Sequence, residues 1–352
     1  FSFLYLSFQI CYIKSIKSYG GLSMEKNKVA IIFTGGTISM KVDPRIHAAI
    51  PALSSEEIVS MVTNIEKFAQ IEIINYSNLP SPHLTPSMMM EIASLVKENI
   101  KRDDIAGVIV THGTDTLEET AYLLDLVISS EKPIVVVGAM RNSSELGYDG
   151  SSNLSAAICT AISPKSRNKG VLVVMNNEVN AAKEVTKTNT LSLDTFKSPE
   201  FGPLGIVDND EVIYYRDIVS HQSIDTNRLE EKVGLIKSVP GMESDIIDFF
   251  IDSDYKGIVI EALGRGNLPP AMVPGIKKAI GKNIPVVMVS RCPTGRVLDT
   301  YGYEGGGKHL RELGVIFGGN LPGQKVRIKL MLALGLTHNM DEIKKIIEFN
   351  TL

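Results

Sequence analysis

The chain has 352 residues, 44% of them hydrophobic and 22% charged, with a formal net charge of −4 at pH 7. That balance describes a globular protein long enough for two domains; it excludes low-complexity disorder and argues against a strongly basic nucleic-acid face. Cys11, Cys159 and Cys292 lie far apart and the six histidines are scattered, so we expect no disulfide framework, no metal site, no cofactor and a reducing, cytoplasmic setting.

Residues 1–13 (FSFLYLSFQICYI) are apolar but too short to span a bilayer, and no membrane association is expected. Lys14 and Lys17 follow this run, where an export signal carries its positive charge ahead of it. Residues 1–23 therefore read as an extension outside the fold, a truncated export signal being the alternative. From Lys28 the runs VAIIF (29–33), GVIV (107–110), PIVVVGA (133–139) and GVLVVM (170–175) are continuous rather than alternating. Such β-branched runs predict strands buried on both faces, as in parallel sheets covered by helices. Thr85-Pro86 places a cap and a first-turn proline ahead of SMMMEIASLVKENI, and Met88–Met90 read as core at helical spacing. Thr116 and Glu119 have capping-box spacing ahead of AYLLDLVI. Residues 222–235 are polar and charged and read as a linker. KGIVIEAL (256–263), IPVVMVS (284–290) and GVIFGG (314–319) then alternate with helical stretches near 271–280 and 324–335 and after Asn339. The expected fold is two-domain α/β: a larger N-terminal domain (24–221) with a mostly parallel sheet flanked by helices, and a smaller C-terminal α/β domain (236–352).

In parallel α/β sheets, chemistry gathers at loops leaving the C-terminal ends of strands. Two such loops are rich in hydroxyls. TGGTIS (34–39) supplies Thr34, Thr37 and Ser39 around Gly35 and Gly36; it is neither a GxGxxG nor a GxxxxGK[ST] loop, and reads equally as a Gly-rich turn. THGTDT (111–116) sets a hydroxyl beside a carboxylate at Thr114 and Asp115. Helix capping explains one or two of these residues, and nucleophilic chemistry explains the pair of loops.

TGGTIS, THGTDTLEETAYLLD, KPIVVVGAMR, DGSSNLSAA, KGVLVVMNNEV and EVTKTNT, followed by GIVIEALGRGNLP, SRCPTG and GGNLPGQKVRIKLMLAL, resemble the bacterial-type L-asparaginase family in order and spacing over about residues 25–350. The resemblance implies a cofactor-free amidohydrolase that turns asparagine and water into aspartate and ammonia. It implies Thr37 as the first nucleophile and a second group of Thr114, Asp115 and Lys187. A threonine hydroxyl needs such a base or polarising partner, and a lysine serves as base only where burial or neighbouring charge keeps it partly neutral. It further implies the N–H groups of Thr37 and Thr114 and the Ala139 carbonyl around the reacting amide, with Gly36 and Gly113 lining the pocket. Ser81 would hold the substrate α-carboxylate, with Ser77 as the alternative.

Two departures stand out. Family members commonly carry a tyrosine just after TGGT, and MKVDPRIHAAIPALSS (40–55) has none. By resemblance to members that supply it from the C-terminal domain, Tyr303 is expected to take that role, with Tyr301 nearby and Glu304 binding the α-amino group from a neighbouring subunit of a homodimer or homotetramer. Pro82 also replaces the polar residue that usually follows the serine, which leaves the choice between asparagine and glutamine open. His47 and His83 read as loop-structural, and Cys292 has no histidine tied to it. The alternatives are a glutaminase-asparaginase, the amidase subunit of a transfer-RNA amidotransferase (expected to carry a further N-terminal domain), and a non-catalytic binder of small amides.

Overall fold

The computed structural model describes residues 27–63 and 65–349; the expectation for residues 1–23 lies outside them. Twelve strands are described in the first part: β1 (Lys28–Gly35), β2 (Met40–Asp43), β3 (Ala48–Pro51), β4 (Gln70–Leu79), β5 (Ile105–Thr111), β6 (Ile134–Val137), β7 (Val171–Met175), β8 (Glu178–Ala181), β9 (Thr186–Lys187), β10 (Phe196–Lys197), β11 (Gly205–Asp208) and β12 (Glu211–Tyr214). The second part contributes β13 (Val233–Lys237), β14 (Gly257–Ala262), β15 (Val286–Ser290) and β16 (Ile316–Phe317).

The large sheet has the order β12-β11-β8-β7-β6-β5-β1-β4. Strands β4, β1, β5, β6 and β7 are parallel, and β8, β11 and β12 extend the sheet antiparallel. The β-branched runs of β1, β5, β6 and β7 are almost wholly buried, because helices cover both faces. Strand β4 (QIEIINYSNL) is only partly buried along its length, since it forms the sheet edge. The helix Pro86–Ile100 starts as its sequence predicts, with Thr85 Oγ1 accepting from Met88 N at 3.3 Å. Met89 is buried and Met90 packs against the core.

The small domain carries the parallel sheet β13-β14-β15-β16. Strand β13 begins at Val233, inside the polar stretch expected as linker; Val233 and Gly234 are buried, so the apolar register starts before the charge run suggests. Residues upstream are pinned rather than loose. Ile224 is buried and its N–H donates to Leu126 O at 2.7 Å, and Glu230 N donates to Met331 O at 2.9 Å.

One apolar core runs through both domains, and a second lies within the small domain. The helix Gly323–Leu336 packs on β14 on one side and on the large-domain helix Leu117–Val127 on the other. Covered on nearly every face, it has no polar stripe. Its two buried lysines are satisfied by main chain: Lys325 Nζ donates to Ala182 O (2.8 Å), Lys183 O (3.2 Å) and Val185 O, and Lys329 Nζ to Ile347 O (3.0 Å). Loops at the C-terminal strand ends of the large domain thus stand at fixed positions against the small domain.

Candidate active site

Strand β1 delivers TGGT to the C-terminal edge of the sheet. Thr34 is fully buried, and its hydroxyl donates to Thr111 O on β5 at 2.7 Å, which locks the two loop-bearing strands together. Gly36 sits at φ 84°, ψ −174°, a region open essentially to glycine. A Cβ there would lie 2.3 Å from Gly113 Cα, and one on Gly113 would lie 2.8 Å from Ser81 Cβ and Oγ. Gly36, Gly113 and Ser81 are therefore stacked in direct contact, so three separate segments converge. Thr37 opens a short 3-10 turn, Thr37–Ser39, and is half-buried; its hydroxyl has no hydrogen-bond partner among the described residues.

The second loop follows β5. His112 is fully buried: Nδ1 lies 2.8 Å from Gly113 O and Nε2 2.8 Å from Thr120 Oγ1. A carbonyl only accepts, so Nδ1 carries the proton and Nε2 accepts from the threonine. Burial holds the ring neutral, its pKa pushed down to about 4. Thr114 is buried and Asp115 exposed. Lys187 Nζ, from β9, donates to Thr114 Oγ1 at 2.9 Å and to Asp115 Oδ1 at 2.7 Å. The polar string after Lys187 has its own use: β9 pairs with β10, Thr188 N donates to Thr195 O, and Asn189 N to Thr195 Oγ1, which hold the lysine in place.

The expected Thr116–Glu119 capping box does not form. Thr116 makes no cap hydrogen bond; its hydroxyl donates instead to Ser81 O at 3.1 Å, tying the helix start to the serine segment. Glu119 is pushed up to about 7 by burial, then by the neighbouring Glu118. Ser77 is committed elsewhere, donating to Thr34 O at 2.7 Å. Ala139 is buried directly after β6. Its loop is braced by Asp149, which accepts from Met140 N and Arg141 N, and by Asn153 Nδ2, which donates to Gly138 O.

Two hydroxyl-bearing loops are in backbone contact, with a lysine bridging the threonine and aspartate of one of them, and one family matches both halves of the chain. The family model Asparaginase, N-terminal covers residues 28–220, and Glutaminase/Asparaginase C-terminal domain covers 232–347. The chain belongs to the asparaginase family. It is 34% identical over 307 residues to an L-asparaginase of Bacillus licheniformis, covering 87% of this chain and 95% of that one. A glutamyl-tRNA(Gln) amidotransferase component of Methanobrevibacter smithii is 32% identical over 338 residues, with 92% of this chain and 76% of that one covered. Among solved structures, the probable cytoplasmic L-asparaginase of Campylobacter jejuni superposes with a TM-score of 0.83 at 31% identity, over 92% of this chain and 99% of that one. As a member of this family the chain is an amidohydrolase.

The asparaginase fold does not bring every expected residue to this cluster within one chain. Tyr301 and Tyr303 stack at 5.7 Å on the surface of the small domain, and both are exposed. Their loop is held by Leu268 N, which donates to Gly305 O, and by Lys308 N, which donates to Tyr301 O, so Tyr303 and Glu304 are anchored in the small domain. His47 and His83 are exposed. Cys292 is free and exposed, at a cleft of about 400 Å³ between the domains that reaches Lys187, Arg291 and Asn320 but neither Thr37 nor Thr114. Among the described residues no group of histidines, cysteines and carboxylates is placed to hold a metal ion, and no helix is long and apolar enough to cross a membrane.

Proposed function

We propose that this chain hydrolyses L-asparagine to L-aspartate and ammonia through Thr37, in the cytoplasm, as a homo-oligomer. The observation that carries the reading is the Thr114–Lys187–Asp115 network, brought against the Thr37 loop by the Gly36–Gly113 contact. In the first step Thr37 Oγ bonds to the carboxamide carbon, the C–N bond breaks, and the hydroxyl proton leaves with ammonia. In the second, water adds to the resulting ester, the ester bond breaks, and Thr37 regains its proton. Thr114, Lys187 and Asp115 hold and move protons in these steps. The backbone N–H groups of Thr37 and Thr114 are spent on no hydrogen bond among the described residues, which suits them to a developing oxyanion. Losing one such donor costs about 3–4 kcal/mol of barrier stabilisation. Ser81, buried against Gly113 with its hydroxyl uncommitted, takes the α-carboxylate. Tyr303 and Glu304 complete the site from a second copy.

Ammonia release from L-Asn, L-Gln and D-Asn, measured beside Thr37→Ala and Thr114→Ala, tests the proposal. L-Asn turnover lost in both variants is the expected result. Ligand-induced stabilisation with no ammonia identifies a binding protein, and full turnover by Thr37→Ala rejects the nucleophile. Equal rates with L-Gln identify a glutaminase-asparaginase. An active monomer in solution removes Tyr303 and Glu304 as residues supplied by a second copy.

A further inference from the structure

The segment that follows Thr37 is gripped at alternate residues by one loop. Tyr148 Oη donates to Ile38 O at 2.9 Å. Ser143 donates twice to Met40 O, from N at 3.1 Å and from Oγ at 3.0 Å. Ser144 Oγ accepts from Val42 N at 3.0 Å. Ile38 adjoins Thr37, and Met40 and Val42 belong to β2, the first strand of the hairpin paired with β3. The gripping loop has its own foundation. Asp149 accepts from Met140 and Arg141 N–H, and Asn153 Nδ2 donates to Asp149 Oδ2 at 2.9 Å, so its base is fixed beside Ala139. Gly150 leaves room for the phenol: a Cβ there would lie 2.2 Å from Tyr148 Oη.

We propose that Tyr148 is a positioning residue for the hydrolysis, its hydroxyl holding the Thr37 turn, with Ser143 and Ser144 fixing the hairpin behind it. The inference rests on Thr37 being the nucleophile. The phenol thus ties the residue after Thr37 to the loop that carries Ala139. Its job is not proton transfer: burial, then the neighbouring Asp149, raise the phenol well above its usual range, so it remains a donor across the working pH range. A nucleophile hydroxyl released by even 1 Å loses up to about 10²-fold in rate, and the Tyr148 bond is the loop's contact nearest to Thr37.

The test compares Tyr148→Phe and Ser144→Ala with the unaltered full-length chain, with Thr37→Ala alongside. Tyr148→Phe removes only the hydroxyl, and Ser144 is exposed, so the second variant remains informative should the first fold poorly. The expected result is kcat with L-Asn down roughly 10- to 100-fold in Tyr148→Phe, and less in Ser144→Ala. KM should stay within about twofold, with both limbs of the pH–rate profile unmoved, a split that general loss of structure would not produce. Unchanged kcat in both variants, with Thr37→Ala inactive, overturns the role of Tyr148 alone. A rise confined to KM overturns it too, because Tyr148 then contributes to substrate binding. A displaced alkaline limb makes Tyr148 an acid–base group and likewise overturns it. Activity in Thr37→Ala overturns this inference together with the nucleophile it rests on.

Discussion

Replacing Lys187 separates two roles that its geometry allows. The ammonium donates to Thr114 Oγ1 at 2.9 Å and to Asp115 Oδ1 at 2.7 Å, with the lysine side chain 17% exposed and the aspartate 62%. Lys187→Met removes both bonds. The cost in stability is small, because an ion pair with one solvated partner contributes about 0–1 kcal/mol. The catalytic cost is much larger. General acid–base assistance is worth roughly 10²–10⁴ in rate, about 3–5 kcal/mol of barrier. Lys187→Met should therefore fold with an almost unchanged urea midpoint and lose at least about 10²-fold in kcat/KM for L-Asn. Lys187→Arg sharpens the test. A guanidinium keeps the positive charge and can reach a carboxylate, but it does not give up its proton in proteins. If the lysine shuttles a proton with Thr114, arginine restores none of the lost rate; if it only orients Thr114 and Asp115 by charge, arginine restores most of it. Ammonia-release kinetics across about pH 6–9, with denaturant melts of each variant, decide the matter. Wild-type kcat/KM in Lys187→Met would refute the reasoning outright.

Two further outcomes follow from the same loops. Gly36→Ala places a Cβ 2.3 Å from Gly113 Cα in a backbone region open essentially to glycine; strain of about 1–3 kcal/mol should lower the melting midpoint, and forcing the loops apart should lower kcat by a larger factor than it raises KM, as steady-state kinetics would report. Acid titration should reveal two groups of opposite sign, the buried His112 and the half-buried Glu119. His112, held near 4 against 6.5 unfolded, favours the folded state at neutral pH and loses that contribution as pH falls from 6.5 towards 4; Glu119, held near 7 against 4.5 unfolded, adds stability as pH falls from 7 towards 4.5. Each is worth roughly 3 kcal/mol over its window, so urea midpoints followed from pH 7 to 4.5 should tilt oppositely: His112→Asn less acid-sensitive than the parent, and Glu119→Gln more so.

How much of this was legible in the residues depends on whether the information is local. The runs that became β1, β5, β6 and β7 are continuous because both faces are buried, and that pattern is visible in any short window. Strand β4 sits at the edge and is only partly buried, and the hairpin of β2 and β3 is short and largely exposed, so neither carries a continuous buried run. Thr116 shows where local rules mislead: its spacing to Glu119 suits a capping box, yet the nearby Ser81 carbonyl takes the hydroxyl. Motifs identified Thr37, Thr114, Asp115 and Lys187, but nothing local places Lys187 on Thr114, 73 residues away. Tyr148 gave no signal at all, since its partner Ile38 lies 110 residues earlier and contributes only a carbonyl.

The hydroxyls of these loops sort themselves by what they are already bonded to. Thr34 donates to Thr111 O, Ser39 to Gly36 O, Thr116 to Ser81 O and Ser77 to Thr34 O. Each of these is held by main chain, and a hydroxyl held that way is not free to attack a carbonyl or bind a carboxylate without breaking a bond the fold uses. Thr111 Oγ1 is unpaired but buried within the sheet, where no substrate reaches it. What remains is Thr37, whose hydroxyl is uncommitted, Ser81, whose side chain makes no hydrogen bond among the described residues, and Thr114, whose oxygen accepts from Lys187 and keeps its own proton to give. The same physical ground favours Ser81 over Ser77 as the proposed carboxylate ligand, because recruiting Ser77 would release Thr34 O, the carbonyl immediately before Gly35 and Gly36. Ser81 Oγ makes no hydrogen bond among the described residues, so recruiting it breaks no bond that the fold uses. In a site built from interchangeable hydroxyls, the residues available for chemistry are therefore the ones that the backbone has left unspent.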